Sequence, residues 1–224
     1  MEGSTDVFRP GGLDLTRRLA ECCAFSYQSK IVDIGCGTGV TVEYLRTTYD
    51  VDAVGVDLSA SRIQQGNDRI PGSPLILAPG EELPFADTSL DGVLAECSLS
   101  VMNDAAKVLS ECNRVLSSGG KLGISDLYDR TAIVPQDEQS PDTHGILSYS
   151  KLVRLLDKYG FDIIFWEDQS SSLKEYVASY IIQGGSPDHL WHGITARLPD
   201  PALRPSQLGY FLLVAKKRLH LQTM

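Results

Sequence analysis

Short apolar runs along the chain alternate with stretches whose apolar residues recur every three or four positions. Runs of the first kind lie at 30–35, 52–59, 74–80, 89–99, 121–128, 162–168 and 208–218, and each is short enough to be a strand. The second kind predicts helices. Val42, Leu45 and Tyr49 share one face of 41–49, and 59–70 follows Ser59, an N-cap residue type. Ala105, Val108, Leu109, Cys112 and Val115/Leu116 form the clearest apolar stripe, which "SSGG" at 117–120 is expected to end. Leu152, Leu155, Leu156 and Tyr159 line one face of 148–161, with Gly160 as the stop, and 172–183 is a further helix. Ahead of the first strand, 9–23 reads as a turn and then a helix capped by Asp14.

The strands are continuously apolar rather than alternating, so both faces of the sheet must be covered. Strands and helices in alternation make that sheet parallel. A ligand then belongs outside the carboxyl ends of the strands, near the switch point. No repeat, low-complexity tract or linker divides the chain, so residues 1–224 read as a single domain with a helical cover at about 1–27. The irregular stretches 129–147 and 184–207 are long enough for lids or binding loops, and plain surface loops fit them equally.

Charge narrows the partners. The chain carries a net charge of −9, and nucleic acid or an anionic membrane would call for basic patches. No apolar run reaches the length of a membrane span, and the polar, acidic start "MEGSTD" does not read as a secretory signal. Five cysteines without a CxxC pair argue against structural zinc and for reduced thiols in a cytoplasm. The expectation is a cytoplasmic protein with a small-molecule partner, no nucleic acid and no membrane; a homodimer stays open.

The chemistry concentrates in "IVDIGCGTGV", residues 31–40. Gly35, Gly37 and Gly39 make G-x-G-x-G, and Val40 stands where a dinucleotide fingerprint has its third glycine. No Lys-Ser/Thr follows, so the loop is not a P-loop. Asp33 would repel a pyrophosphate but suits an amine. Asp57 ends the second strand, beside the glycine loop in a parallel sheet, where an acid can take both hydroxyls of a ribose. These residues alone fit NAD or an adenosyl ligand.

Four stretches in order, "VDIGCGTG", "GVDLS", "GEELPFADTSLDGVLAE" and "RVLSSGGKLGISD", resemble the class I S-adenosylmethionine-dependent methyltransferases. The small-molecule branch, with its quinone C-methyltransferases and arsenite methyltransferases, is the most similar. The resemblance covers residues 28–128 closely. It implies an α/β, Rossmann-like seven-stranded mostly parallel sheet of order 3-2-1-4-5-7-6 with helices on both faces, and S-adenosyl-L-methionine as cofactor. By motif position, Gly35, Cys36, Gly37 and Gly39 would approach its methionine and ribose. Asp33 would face the amino group, Asp57 the ribose, and Leu58 and Ile63 the adenine. The family's adenine-binding acid is replaced by Pro79, which leaves the backbone N–H of Gly80 or Glu81 for the ring nitrogen and the Glu81 side chain, another carbonyl or water for the amino group. Glu96 and Cys97 fall where the family lines the methionine end and the substrate pocket.

Methyl transfer from a sulfonium is an in-line displacement that asks mainly for positioning and exclusion of water. A base is needed only where the acceptor must lose a proton. Glu96, Cys97 and His144 are the candidates for a catalytic role, and Asp126 and Tyr128 are expected at the acceptor pocket. Each has a plainer alternative: Glu96 orienting the cofactor amine, Cys97 a packed thiol rather than a metalloid ligand, His144 a solvated loop residue, Asp126 a turn cap. Arg9, in "FRPGG", reaches the cofactor carboxylate if the N-terminal segment folds over the site, and otherwise lies on the surface. The remaining readings are an adenosylmethionine-binding regulatory or assembly factor and, third, an NAD-dependent oxidoreductase.

Overall fold

The computed structural model describes residues 9–130, 145–186, 189–190 and 205–219. Its seven strands are β1 (Lys30–Ile34), β2 (Asp52–Asp57), β3 (Leu75–Leu77), β4 (Leu90–Glu96), β5 (Leu116–Asp129), β6 (Phe161–Asp168) and β7 (Leu208–Lys217). They form one sheet in the order β3-β2-β1-β4-β5-β7-β6. The first five pair in parallel, and β7 runs antiparallel to both of its neighbours. Order and direction are those the resemblance implies.

Side chains alternate across a strand, and the two sets are buried under different helices. Val32 and Ile34 of β1, Val93 and Ala95 of β4, Leu122 and Ile124 of β5, and Phe211 and Leu213 of β7 pack with α4 (Ala105–Val115) and α5 (Tyr149–Lys158). Ile31, Ala53, Leu94, Leu212 and Val214 pack with α1 (Gly12–Cys23), α2 (Val40–Tyr49) and α6 (Ser170–Ile182). Each such side chain, fully buried, contributes about 1.5–3 kcal/mol, and an exposed face is kept at the edge strand β6, where Asp162 and Ile164 stand outward. The stripe of α4 is buried from Ala105 to Val115, whereas Leu116 already belongs to β5. The Ser59 cap opens α3 (Ala60–Arg69), its hydroxyl accepting from Arg62 N, and Ser148 caps α5 in the same way.

Two local expectations change. Helix α1 begins at Gly12 behind Gly11, and Asp14 is an exposed first-turn residue rather than the cap. "SSGG" is not a loop that ends α4, because β5 starts at once with Leu116. Residues 117–120 bulge out between the Leu90–Leu116 and Gly92–Lys121 pairs. Carbonyls at the end of α4 take a donor from elsewhere: the Lys217 ammonium of β7 donates to Asn113 O (2.6 Å) and to the O of Leu116, the residue that follows the helix (2.7 Å).

Candidate active site

Beyond Ile34, Gly35 N and Cys36 N both donate to Val56 O, at 2.7 and 3.1 Å, which turns the chain across the end of β2. Gly35 has φ +74°, and a Cβ there would fall 2.5 Å from Ser98 Cβ. Ser98 is held by donating to Ile34 O at 2.7 Å. The tight loop therefore needs glycine for its backbone and for the close approach of the β4 end. Gly39, the N-cap residue of α2, offers no side-chain cap, and Val40 and Thr41 of the first turn line the cleft.

Asp57 anchors the middle of this loop. Its Oδ2 accepts from Gly37 N at 2.8 Å and its Oδ1 from Ser59 N at 2.8 Å. A carboxylate has about four acceptor sites. Two are spent on backbone, and the remaining capacity belongs to a side chain in the cleft wall.

The cleft measures about 910 Å³ and lies at the carboxyl ends of β1, β2 and β4, where the strand order reverses. One end is apolar: Leu58 is 65% exposed and Val101 40%, with Met102 and Ala78 between them. Gly80 permits this closeness, since a Cβ on it would sit 2.9 Å from Ile34 Cγ2 and 3.0 Å from Met102 Sδ. Ile63, expected beside the adenine, is instead buried on the inner side of α3, and Arg62 of the same helix lines the cleft. Glu81 does reach the wall, but its Oε1 accepts from Asn103 N and Asp104 N, at 2.9 and 3.3 Å. That oxygen ties the β3 loop to the start of α4.

The other end is polar. Glu96 Oε1 accepts from Arg9 Nη2 at 2.9 Å, Thr41 Oγ1 at 3.0 Å and Thr16 Oγ1 at 3.2 Å, and Thr16 also reaches Oε2 at 3.0 Å. Arg9 thus comes into the cleft instead of lying on the surface. Asp33 does not take the position expected of it. It lies on the sheet face covered by α1 and α2, is 3% exposed and is absent from the cleft wall. Burial, then the nearby Glu96, push its carboxyl well above the usual range. The carboxylate that the cleft presents at this end is Glu96. Cys36 lines the cleft too, its thiol pushed up by burial and then by Asp33.

The expected acceptor-side residues separate. Cys97 lines the cleft with φ +52°, its N donating to Ser125 O at 2.6 Å. Burial, with a further contribution from Asp126, pushes its thiol up to about 12, so it stays protonated. Asp126 is 2% exposed and does not reach the cleft. Its oxygens accept from Ser100 Oγ (2.6 Å), Ser100 N (2.9 Å) and Leu127 N (2.7 Å), a cap on the turn Leu99–Val101. Tyr128 is also away from the cleft: its hydroxyl donates to Asp168 Oδ2 at 2.6 Å, and its ring meets Trp166 and Phe211 edge-on. Both residues share the face of Leu122 and Ile124, whereas Glu96 shares the opposite face with Leu94. His144 lies outside the described residues, as does most of the two irregular stretches. Among the described residues no group of three or more His, Cys, Asp or Glu could hold a metal ion, and no helix is long and apolar enough to cross a membrane.

Sequence reasoning passed over Thr16 and Thr41. Both carried a signal, because each is a polar residue on an otherwise buried helix face, beside Leu19 and Ala20 in α1 and Leu45 in α2.

Comparison with known proteins agrees with this geometry. A family profile described as a methyltransferase domain matches residues 32–124. The chain is 32% identical over 166 residues to O-methyltransferase rstn1 of Aspergillus nomiae, spanning 69% of this chain and 73% of that protein. It is 31% identical over 207 residues to an O-methyltransferase of Pyrenophora dematioidea, spanning 84% and 74%. Among solved structures, the [4+2]-cyclase SpnF superposes with a TM-score of 0.73 at 24% identity, over 92% of this chain and 81% of that one. With the strand order, the glycine loop and the cleft at the switch point, these matches show that the chain belongs to the class I S-adenosylmethionine-dependent methyltransferases.

Proposed function

We propose that the chain transfers a methyl group to a hydroxyl of a small-molecule acceptor, with the donor lying along the switch-point cleft. The observation that supports it most is Asp57, locked by two backbone amides and left with acceptor capacity in the wall of an open cleft. The residues fit the cofactor. Gly35, Gly37 and Gly39 would admit its methionine and ribose, and Asp57 would take the two ribose hydroxyls. Leu58, Val101 and Met102 would cover the adenine, with Gly80 N available to the ring, and Glu96 would take the ammonium. S-adenosylmethionine supplies, when bound, a methyl group made electrophilic by its sulfonium. The chain's part is to hold donor and acceptor in line and keep water out. The hydroxyl as acceptor rests on the two O-methyltransferase relatives. Of the candidate bases, Glu96 is engaged by Arg9 and two threonines and Cys97 stays protonated, so His144 is the proposed group for an acceptor's proton.

The test has two stages. Calorimetry with S-adenosylmethionine, S-adenosylhomocysteine and NAD should show the two sulfur compounds bound and NAD not; the reverse overturns the reading. Turnover is then followed by mass spectrometry on phenols, quinones, thiols and arsenite. Binding without methylation of any of them would favour a binding or assembly factor. Methylation at carbon or sulfur alone would overturn the hydroxyl assignment. A fold does not fix a reaction, and a cyclase shares this one.

A further inference from the structure

The chain between β4 and α4 is pinned at three places. Ser98 Oγ donates to Ile34 O at 2.7 Å. Ser100 gives both of its donors to Asp126 of β5, Oγ to Oδ1 at 2.6 Å and N to Oδ2 at 2.9 Å. Asn103 N and Asp104 N donate to Glu81 Oε1. Between the second and third pins lie only Val101 and Met102, which line the apolar end of the cleft. Leu99 is buried in the core with Leu147, Leu152 and Phe211. Leu99–Val101 is a single 3-10 turn, with Val101 N and Met102 N donating back to Ser98 O and Leu99 O at 3.2 and 3.3 Å. Bonds that long hold so short a helix weakly, and Asp126 is its stronger hold. Asp126 is a buried carboxylate, yet among the described residues no lysine or arginine pairs with it; Ser100 and Leu127 N satisfy it. Burying a charge without a counter-charge costs stability, and a neutral serine or asparagine could cap a three-residue turn at less cost. A carboxylate kept in that place is explained by what the turn carries.

We propose that Asp126 is a positioning residue for the donor's adenine: through Ser100 it sets Val101 and Met102 at the depth at which they close on the ring, without itself reaching the cleft. The inference rests on the adenosyl reading of the cleft. Asp126 comes from β5, the sheet neighbour of β4, so this wall is gauged against the sheet and not against the span of its own loop. Leu58 is set in the same way, because Asp57 at the end of β2 fixes Ser59 N beside it. The apolar end of the cleft is therefore held by two strand-end carboxylates, one behind Leu58 and one behind Val101. Gly80 leaves little slack on the far side, since Met102 Sδ stands 3.0 Å from where a Cβ on that glycine would be.

Binding constants test this without turnover. S-adenosylhomocysteine is titrated by calorimetry into the unmodified protein, Asp126→Asn, Val101→Ala/Met102→Ala, and the variant with all three substitutions. Asparagine sets an NH2 group against a backbone donor, Ser100 N or Leu127 N, so the turn loosens and affinity should fall about 5- to 30-fold. With the wall truncated, the same substitution should cost less than about twofold, because nothing is left for the turn to position. A role confined to folding gives a different pattern: a lower thermal midpoint with affinity unchanged well below it, or the same fold-loss in both backgrounds. Either result overturns the proposal. Should Asp126→Asn fail to fold, Ser100→Ala removes the Oγ bond alone and carries the same cycle, with a loss of about 2- to 10-fold expected. If S-adenosylhomocysteine does not bind the unmodified protein, the adenosyl reading itself falls, and the proposal with it.

Discussion

Asp57→Asn separates a carboxylate that recognises ribose from one that only closes a turn. In the native side chain each oxygen accepts one backbone amide, Gly37 N on Oδ2 and Ser59 N on Oδ1, both at 2.8 Å. Asparagine keeps one acceptor oxygen and sets an NH2 group against the other amide, so one of these bonds is lost whichever way the side chain turns. The two ribose contacts pass from charged to neutral bonds, each weaker by about 1 kcal/mol. Together with the loosened glycine loop, the cost to binding comes to about 2–4 kcal/mol, or about 30- to 1000-fold in affinity for S-adenosylhomocysteine. The unliganded protein should lose much less, about 1–2 kcal/mol, or roughly 2–8 °C in thermal midpoint for a chain of this size. Calorimetry near neutral pH gives the first quantity and a thermal melt the second. Affinity within about threefold of the unmodified protein, less than 1 kcal/mol, would refute the ribose role. A large drop in midpoint with proportionate loss of binding would make Asp57 a brace.

Three further outcomes follow from the packing. Asp33 binds its proton more tightly folded than unfolded, so its contribution to stability falls as pH rises from the unfolded value of about 3.8 towards the raised native value. Asp33→Asn removes that titration, and the difference in unfolding free energy between variant and unmodified protein should grow in the variant's favour from pH 4 to pH 7; a flat difference contradicts the sign. Gly35→Ala should cost about 2–4 kcal/mol in denaturant unfolding, from a left-handed φ and a Cβ 2.5 Å from Ser98 Cβ. Adding Ser98→Gly should recover the steric part only. Lys217→Met strips Asn113 O and Leu116 O of their donor, and a loss of about 2–4 kcal/mol is expected, against no change if water replaces the ammonium.

What could be read in advance was local. Each strand and helix announces itself through its own apolar period, and the strand order follows from joining successive units with the family's pattern. Asp57 was legible because it closes a strand whose neighbour in the sheet carries the glycine loop. Asp126 and Tyr128 were misplaced because a strand end points its side chains to two faces, and only one face opens on the cleft. Parity alone groups Asp126 with Leu122 and Ile124, and Asp33 with Ile31, but which face lies beneath α1 and α2 is decided by the packed helices. The Gly-rich stretch after α4 misled for a similar reason. Its glycine chemistry looked like a helix stop, whereas a lysine about a hundred residues away, on β7, caps the helix and frees the glycines for a bulge.

The two ends of the cleft differ in the same way. The end at the glycine loop is made within some 25 residues of chain, so its residues follow one another in the sequence: Gly35, Gly37, Gly39, then Asp57. The polar end is assembled from four elements, with Glu96 bonded to Thr41, Thr16 and Arg9 across 55, 80 and 87 residues. No window of sequence contains that set. Its members do share a signature: a polar residue in an apolar stripe, or an arginine fixed by a double-glycine turn, is an expense of local structure that local structure does not repay. Thr16, Thr41 and the Arg9 turn are three such expenses, and they converge on one carboxylate. Arg9 and Thr16 come from the segment before β1 and Thr41 from α2, so this polar end of the cleft is closed largely by residues that the glycine loop and the Asp57 strand do not contain.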